Sequence, residues 1–242
     1  MRKRTAAILI FCGVMGLLLF GVCLNKQTEI RESLGEALYA RPNNEKEQSG
    51  EEETEVKETK KIALTFDDGP HPIYTPLLLE GLRERKVKAT FFLMGSAVEQ
   101  YPELVKEMAE DGHLIGNHTY HHVSLARADE ALIEKEVYTV NELLEQTTGQ
   151  SPQFIRPPFG EYSKSLEQQT GMICVLWNID PLDWSTKDAS KVVRRVVTNA
   201  RENGIILMHD QYQTSVRAAL TIIDELQKQG YEFVTVEELL LN

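Results

Sequence analysis

From Ile62 onward, short apolar runs alternate with longer amphipathic ones. IALTF, ATFFLMG, HLIGNH, FIRPP, MICVLW, GIILMH and EFVTV are the short runs, and their continuous apolar character predicts strands buried on both faces. The longer segments TPLLLEGLRERK, SAVEQYPELVKEMAEDG, ADEALIEKEVYTVNELLEQTTG, ASKVVRRVVTNARENG and SVRAALTIIDELQKQG place apolar residues at helical spacing. Each reads as one helix, with Gly112 and Gly149 as stops for the second and third. Strand and helix alternate through short connections, the pattern of a parallel sheet covered by helices. With about seven or eight strands, a barrel is favoured over an open sheet.

The pattern before Ile62 is different. MRKR precedes Ala6–Leu24, nineteen residues without a charge. That run nearly matches the roughly 20 residues a helix needs to cross a bilayer. Residues 1–24 are read as an uncleaved anchor, with a cleaved secretory signal as the alternative. The bases in front of the run keep the amino terminus inside and send the rest of the chain out. Residues 25–60, rich in Glu and poor in apolar residues, read as a charged, disordered stem. The domain is then expected over 61–242.

Composition narrows the partners. The net charge is -11, and Ile62–Asn242 holds 16 bases against 27 acids. Such a surface is a poor match for nucleic acid, which needs clustered Lys and Arg. Cys12 and Cys23 lie in the apolar run and leave Cys174 alone in the domain, so no disulfide is available there. Its setting, MICVLW, predicts a buried core thiol.

Five strands end in polar clusters: TFDDGP, GNHTYHH, IRPPFG, WNIDPLDW and LMHD. In α/β barrels the site lies at the carboxyl ends of the strands, so five clusters point to one site. Asp67 and Asp68 are adjacent and face opposite sides of a strand, unless the chain bends at Gly69-Pro70. His118 and His122 are four apart and can converge, while His121 points elsewhere. Two imidazoles and a carboxylate suit a divalent transition metal. Arg156 near Asp67 would orient that carboxylate. Each cluster taken alone also reads as structural: an Asp turn, a solvated histidine loop, a surface arginine.

TFDDGP, HTYHH, RPPFG, DW and LMH, in this order and spacing, resemble the five motifs of the NodB-type polysaccharide deacetylases, carbohydrate esterase family four. The resemblance covers about Lys61 to Asn242 and implies a distorted, incomplete (β/α) barrel of about seven parallel strands. It implies Asp68, His118 and His122 as ligands of one divalent metal ion, zinc first, with cobalt, nickel or manganese as alternatives. It also implies Asp67 as general base, Arg156 as its orienting partner, His209 as general acid and Asp183 as the residue tuning it. The Phe159 backbone N–H would be an oxyanion donor, and Trp184 and Leu207 the walls around the acetyl methyl. Together with the outward-facing anchor, these features suggest removal of N-acetyl groups from N-acetylglucosamine of an extracellular glycan, peptidoglycan first. Chitooligosaccharide, poly-N-acetylglucosamine and O-acetylated xylan remain alternatives, because the motifs handle the acetyl group and not the polymer. A non-haem iron oxygenase shares the two-His-one-carboxylate set. A tethered glycan-binding protein would be the non-enzymatic alternative.

Overall fold

A computed structural model describes residues 59–241. The expected anchor at 1–24 and all but the end of the expected stem at 25–60 lie outside these residues. Among the described residues, no helix is long and apolar enough to cross a membrane.

Seven strands form one parallel sheet: β1 (Lys60–Asp67), β2 (Thr90–Leu93), β3 (Leu114–Asn117), β4 (Phe154–Ile155), β5 (Ile173–Cys174), β6 (Gly204–His209) and β7 (Tyr231–Val234). The order is β5-β4-β3-β2-β1-β6, with β7 paired to β1. Along one edge β1 pairs with β6 from Ile62 to Asp67. Along the other it meets β7 over Lys60–Ala63 and then β2 over Thr65–Asp67. After β5 the chain swings across, and Ile179 bridges Ile206 on the free edge of β6. The strand circuit therefore returns on itself through a single bridge, giving a distorted and incompletely closed barrel.

β1 shows how the layers separate. Ile62, Leu64 and Phe66 pack outward against a helical layer that includes Leu78, Leu82, Ile222 and Ile223. Ala63 packs in a separate cluster with Phe92, Phe154 and Val175. Successive side chains of a strand alternate between faces, so Thr65 and Asp67 follow Ala63 toward the interior. A column that is small at its base and carboxylate at its top leaves room for a large polar group between the strands. Arg156 fills that room.

Three expected elements differ. The helix expected over SAVEQYPELVKEMAEDG is two, Gly95–Gln100 and Pro102–Glu110, because Pro102 keeps Tyr101 out of helical geometry at φ -133 and ψ 54. The long helix spans Glu130–Thr148, but Glu134–Tyr138 within it is π-helical. MICVLW is a strand only over Ile173–Cys174, because Arg156 takes the carbonyls of Val175 and Leu176 that would have continued a ladder. Cys174 is half-buried, not fully buried. Burial and Glu167 push its thiol up to about 11, which leaves it inert as a nucleophile.

At the base of the sheet, His113 is buried against the edge of the Phe91 ring, 5.2 Å between centroids. Its Nδ1 accepts the Ala89 N–H at 3.1 Å, which requires the neutral imidazole. Burial, reinforced by Lys88 and Arg83 and opposed by Asp111, holds it at about 4 against an ordinary 6.5. As pH falls from 6.5 to 4 the unfolded chain protonates this residue and the folded chain does not, so stability is lost over that window. The loss is about 3 kcal/mol. Buried Asp210, pushed up to about 7 by desolvation, contributes a slope of opposite sign, so the His113 effect is read by difference. Urea unfolding of wild type and His113→Asn at pH 7 and pH 4 should show the variant keeping about 3 kcal/mol that wild type loses; equal slopes would mean His113 is charged in the fold.

Candidate metal and active site

Strand register gathers the polar clusters. Asp67 on β1 is the direct partner of His209 on β6. On the other side, His118 follows the end of β3 and donates its backbone N–H to Leu93 at 2.9 Å, while the Arg156 N–H bonds Asn117 at 2.9 Å. Four strands, β1, β3, β4 and β6, thus bring Asp67, Asp68, His118, Arg156 and His209 together at one end of the barrel.

The two adjacent aspartates do share the site, and the bend that allows it lies at Asp68 itself, whose φ is 70. Asp tolerates this left-handed conformation better than most residues. Thr119 (φ 64), His122 (φ 56) and Phe159 (φ 62) are left-handed too. Such non-glycine positions each cost about 1–3 kcal/mol and cluster where surrounding contacts over-determine the backbone.

Asp68 Oδ1 lies 3.4 Å from His118 Nε2 and 3.5 Å from His122 Nε2. This oxygen is buried and has no hydrogen-bond partner. His118 Nδ1 donates to the Arg156 carbonyl at 2.6 Å, which turns Nε2 toward Asp68. Burial holds His122 below its ordinary value, against the pull of Asp68, and so favours its neutral form. Burial pushes the Asp68 carboxyl up, but His118, His209 and His122 outweigh it and hold it below the ordinary range. An orphaned carboxylate oxygen facing two imidazole nitrogens fits a divalent cation; all three ligand atoms lie within 4.8 Å of one another.

Asp67 has a different set of partners. Its Oδ1 accepts from Arg156 Nη1 at 2.8 Å, and its Oδ2 lies 3.8 Å from His118 Nε2. Arg156 is fully buried; Nη1 also reaches Thr65 Oγ1 at 2.7 Å, and Nε reaches the Val175 carbonyl at 3.1 Å. The guanidinium stacks 4.3 Å above the Phe92 ring. Burial lowers its basicity, and the Asp67 charge works against that.

His209 is held by Asp183, whose Oδ2 accepts the His209 backbone N–H and whose Oδ1 accepts Nδ1–H, each at 2.9 Å. Its Nε2 faces Asp68 Oδ2 at 4.0 Å. Burial pushes this imidazole down, but Asp183, Asp67 and Asp68 overcome it and raise it to about 9.

Phe159 is exposed, and its ring meets His122 edge-on at 4.7 Å. Trp184 is half exposed and Leu207 buried. Neither lines the cleft of about 610 Å³ that opens from Asp68 and His122 toward His71, Tyr101, Gln211 and Tyr212. The sequence reading overlooked several supporting groups. Gln211 Nε2 donates to the Asp68 carbonyl at 2.8 Å, and it sits two residues past His209 at the same strand end. His121, set aside as a bystander, is bonded through Nδ1 to buried Glu136 at 2.8 Å. Asn117 Nδ2 donates to the Val137 carbonyl at 2.9 Å, tying the end of β3 to the π-helical segment.

Residues 54–173 match the family model for polysaccharide deacetylases. The chain is 38% identical over 184 residues to the peptidoglycan-N-acetylglucosamine deacetylase PgdA of Listeria monocytogenes serotype 1/2a, covering 76% of this chain. It spans only about 40% of the length of that relative. A peptidoglycan-N-acetylglucosamine deacetylase of Bacillus cereus is 39% identical over 217 residues, covering 86% of this chain and 95% of the relative. Among solved structures, peptidoglycan deacetylase PdaC from Bacillus subtilis superposes with a TM-score of 0.72 at 39% identity, covering 75% of this chain and 90% of that one.

Two substitutions separate the aspartates. Asp68→Ala should weaken zinc binding at least a hundredfold, whereas Asp67→Asn should leave stoichiometric metal in place, as read by metal analysis after dialysis. Metal loss in Asp67→Asn would exchange the two assignments. Arg156→Met strands a buried carboxylate and should cost about 3–5 kcal/mol in denaturant unfolding.

Proposed function

The chain belongs to the polysaccharide deacetylase family, and from that premise we propose that it hydrolyses the N-acetyl amide of N-acetylglucosamine units in peptidoglycan. One observation carries the reading: neighbouring carboxylates meet different partners, with Asp67 held by Arg156 and Asp68 turned to two imidazoles. A base and a metal ligand are thereby separated on adjacent residues, with a carboxylate-clamped histidine across from them.

Amide hydrolysis requires an activated water, a place for the negative charge of the tetrahedral intermediate, and a proton for the departing amine. Asp68, His118 and His122 would hold a divalent cation, and the nitrogen-rich donor set favours zinc, with cobalt, nickel and manganese as alternatives. When bound, such an ion polarises the acetyl carbonyl and makes a water more acidic. Asp67 Oδ2 is the oxygen that Arg156 leaves free, and it takes the water proton. Arg156 fixes that carboxylate in one orientation, so the free lone pair points at the ligand end of the site. The motif resemblance would give the Phe159 N–H to the oxyanion and Trp184 with Leu207 to the acetyl methyl, although neither of those two side chains lines the cleft at Asp68 and His122.

His209 Nε2–H supplies the proton to the leaving nitrogen. Asp183 occupies Nδ1 and the backbone N–H together, so the ring cannot turn over and only Nε2 can donate. The raised value of about 9 keeps that proton in place at neutral pH.

Support for the glycan comes from the Listeria monocytogenes and Bacillus cereus relatives, both named peptidoglycan-N-acetylglucosamine deacetylases; the Bacillus subtilis relative PdaC is named for N-acetylmuramic acid of the same polymer. The placement is part of the same proposal: residues 1–24 as an anchor and 25–60 as a stem would present the domain outside the membrane, at the bacterial envelope. A glycan-binding role without turnover has no support in the site, since both Asp67 and His209 are present and partnered.

The test is acetate release by the zinc-loaded chain from peptidoglycan, N-acetylglucosamine oligomers and acetylated xylan. Release from peptidoglycan and none from xylan is expected; no acetate from any of the three would end the deacetylase reading. Asp67→Asn and Asp183→Asn should each lower kcat by about 10²–10⁴-fold, the usual contribution of acid–base groups.

A further inference from the structure

The histidine loop that carries two of the three ligands is not stable by its own geometry. Between Asn117 and His122 it contains two left-handed non-glycine residues, Thr119 and His122. Something outside the loop must hold it. The partners are on the π-helical segment Glu134–Tyr138 and the turn that follows it.

Glu136 is 2% exposed, and both of its oxygens are committed to one residue of that loop. Oε2 accepts the His121 backbone N–H at 2.9 Å, and Oε1 accepts from His121 Nδ1 at 2.8 Å. The next residue, Val137, offers its carbonyl to Asn117 Nδ2. Asn117 also donates to Asn141 Oδ1 at 2.7 Å and accepts the Thr119 N–H at 2.8 Å. Both ends of the loop are therefore bonded to the same stretch of helix. Segments of π-helix recur at functional sites.

Glu136 also stands where a hydrophobe would be expected. Ile133, Val137, Val140 and Leu144 form the buried stripe of this helix, and position 136 falls on it at the i+3 spacing. Burying a carboxylate there is a poor way to gain stability, since an apolar side chain of similar size does as well or better. The same clamp, one carboxylate taking the N–H and Nδ1–H of a single histidine, is used by Asp183 on His209.

We propose that Glu136 is a positioning residue of the metal site: acting through His121, it fixes the left-handed His122 and its neighbour loop so that the His118 and His122 Nε2 atoms face Asp68. It rests on those three residues holding a metal and is independent of which glycan is cleaved. His121 is then a strut, its backbone and ring both spent on the clamp.

The experiment measures zinc affinity of the full chain, stripped of metal and titrated against a chromophoric chelator, alongside the Tm of the metal-free protein. Glu136→Met should weaken zinc binding about 10–100-fold, the usual effect of losing a ligand's supporting group, with the metal-free Tm unchanged or raised. Glu136→Gln keeps an oxygen for the His121 N–H and should fall between wild type and Glu136→Met. His121→Ala keeps the backbone bond and should do the same. If Glu136→Met does not fold, Glu136→Gln decides in its place. Zinc affinity within twofold of wild type in a folded Glu136 variant overturns the proposal while the metal site stands. Failure of wild type to bind zinc overturns both. Zinc binding by wild type with the expected weakening in the variants, but no acetate from any glycan, would sink the deacetylase reading alone and leave the positioning role intact.

Discussion

A guanidinium with no access to water must be neutralised and hydrogen-bonded by the protein, and that requirement organises the catalytic end of this barrel. Arg156 meets it with the Asp67 carboxylate, the Thr65 hydroxyl and the carbonyls of Val175 and Leu176. Each of these partners has a structural consequence. Taking the two carbonyls stops β5 after two residues and releases the chain to cross to β6. Taking Thr65, which itself donates to the Ile206 carbonyl at 2.7 Å, ties β4, β1 and β6 through a single hydroxyl. Taking one oxygen of Asp67 leaves the other with a defined direction. A buried ion pair is seldom the best source of stability; here its value lies in geometry, because the carboxylate it orients belongs to the site.

Around that fixed point the rest of the site is built from backbone that a sequence would not choose locally. Asp68, Thr119, His122 and Phe159 are all left-handed, and none is glycine. The strain persists because neighbouring groups over-determine it: the Asn117 amide, the Glu136 carboxylate and the Gln211 amide each bond backbone of these loops. Gly69 contributes by absence, since a Cβ there would come within 2.7 Å of the buried Asp210 carboxylate. The backbone around the candidate ligand atoms is thus held by side chains that are not themselves in the ligand set.

This division explains what could be read from residues alone. The β/α alternation was legible because strands buried on both faces are continuous apolar runs, and the site was legible because polar clusters at strand ends are costly without a purpose. Asp67, Asp68, His118, His122, Arg156, Asp183 and His209 lie side by side at one end of the barrel. What escaped was geometry set by long-range contacts. The early end of β5 depends on an arginine about twenty residues upstream, and the split at Tyr101 on Pro102, whose effect on the preceding residue outweighs the helical spacing around it. Glu136 did leave a trace, a carboxylate on an apolar helical stripe. Its meaning required knowing that a π turn faces His121.

The two carboxylate clamps show why such a trace needs its surroundings. Asp183 and Glu136 bind a histidine in the same way, through the backbone N–H and Nδ1, at nearly the same distances. Hydrogen bonding alone cannot then distinguish an acid from a strut. Location does. The His209 side chain is 13% exposed and its Nε2 looks across at Asp68, so the proton held there faces the reacting end of the site. The His121 side chain is 50% exposed and lies outside the candidate ligand set, so in the proposed reading the same clamp has no proton transfer to serve. What it constrains is the backbone one residue before His122. In the proposed reading one chemical device serves two tasks, and the strand register that sets Asp67 opposite His209 separates the two histidines.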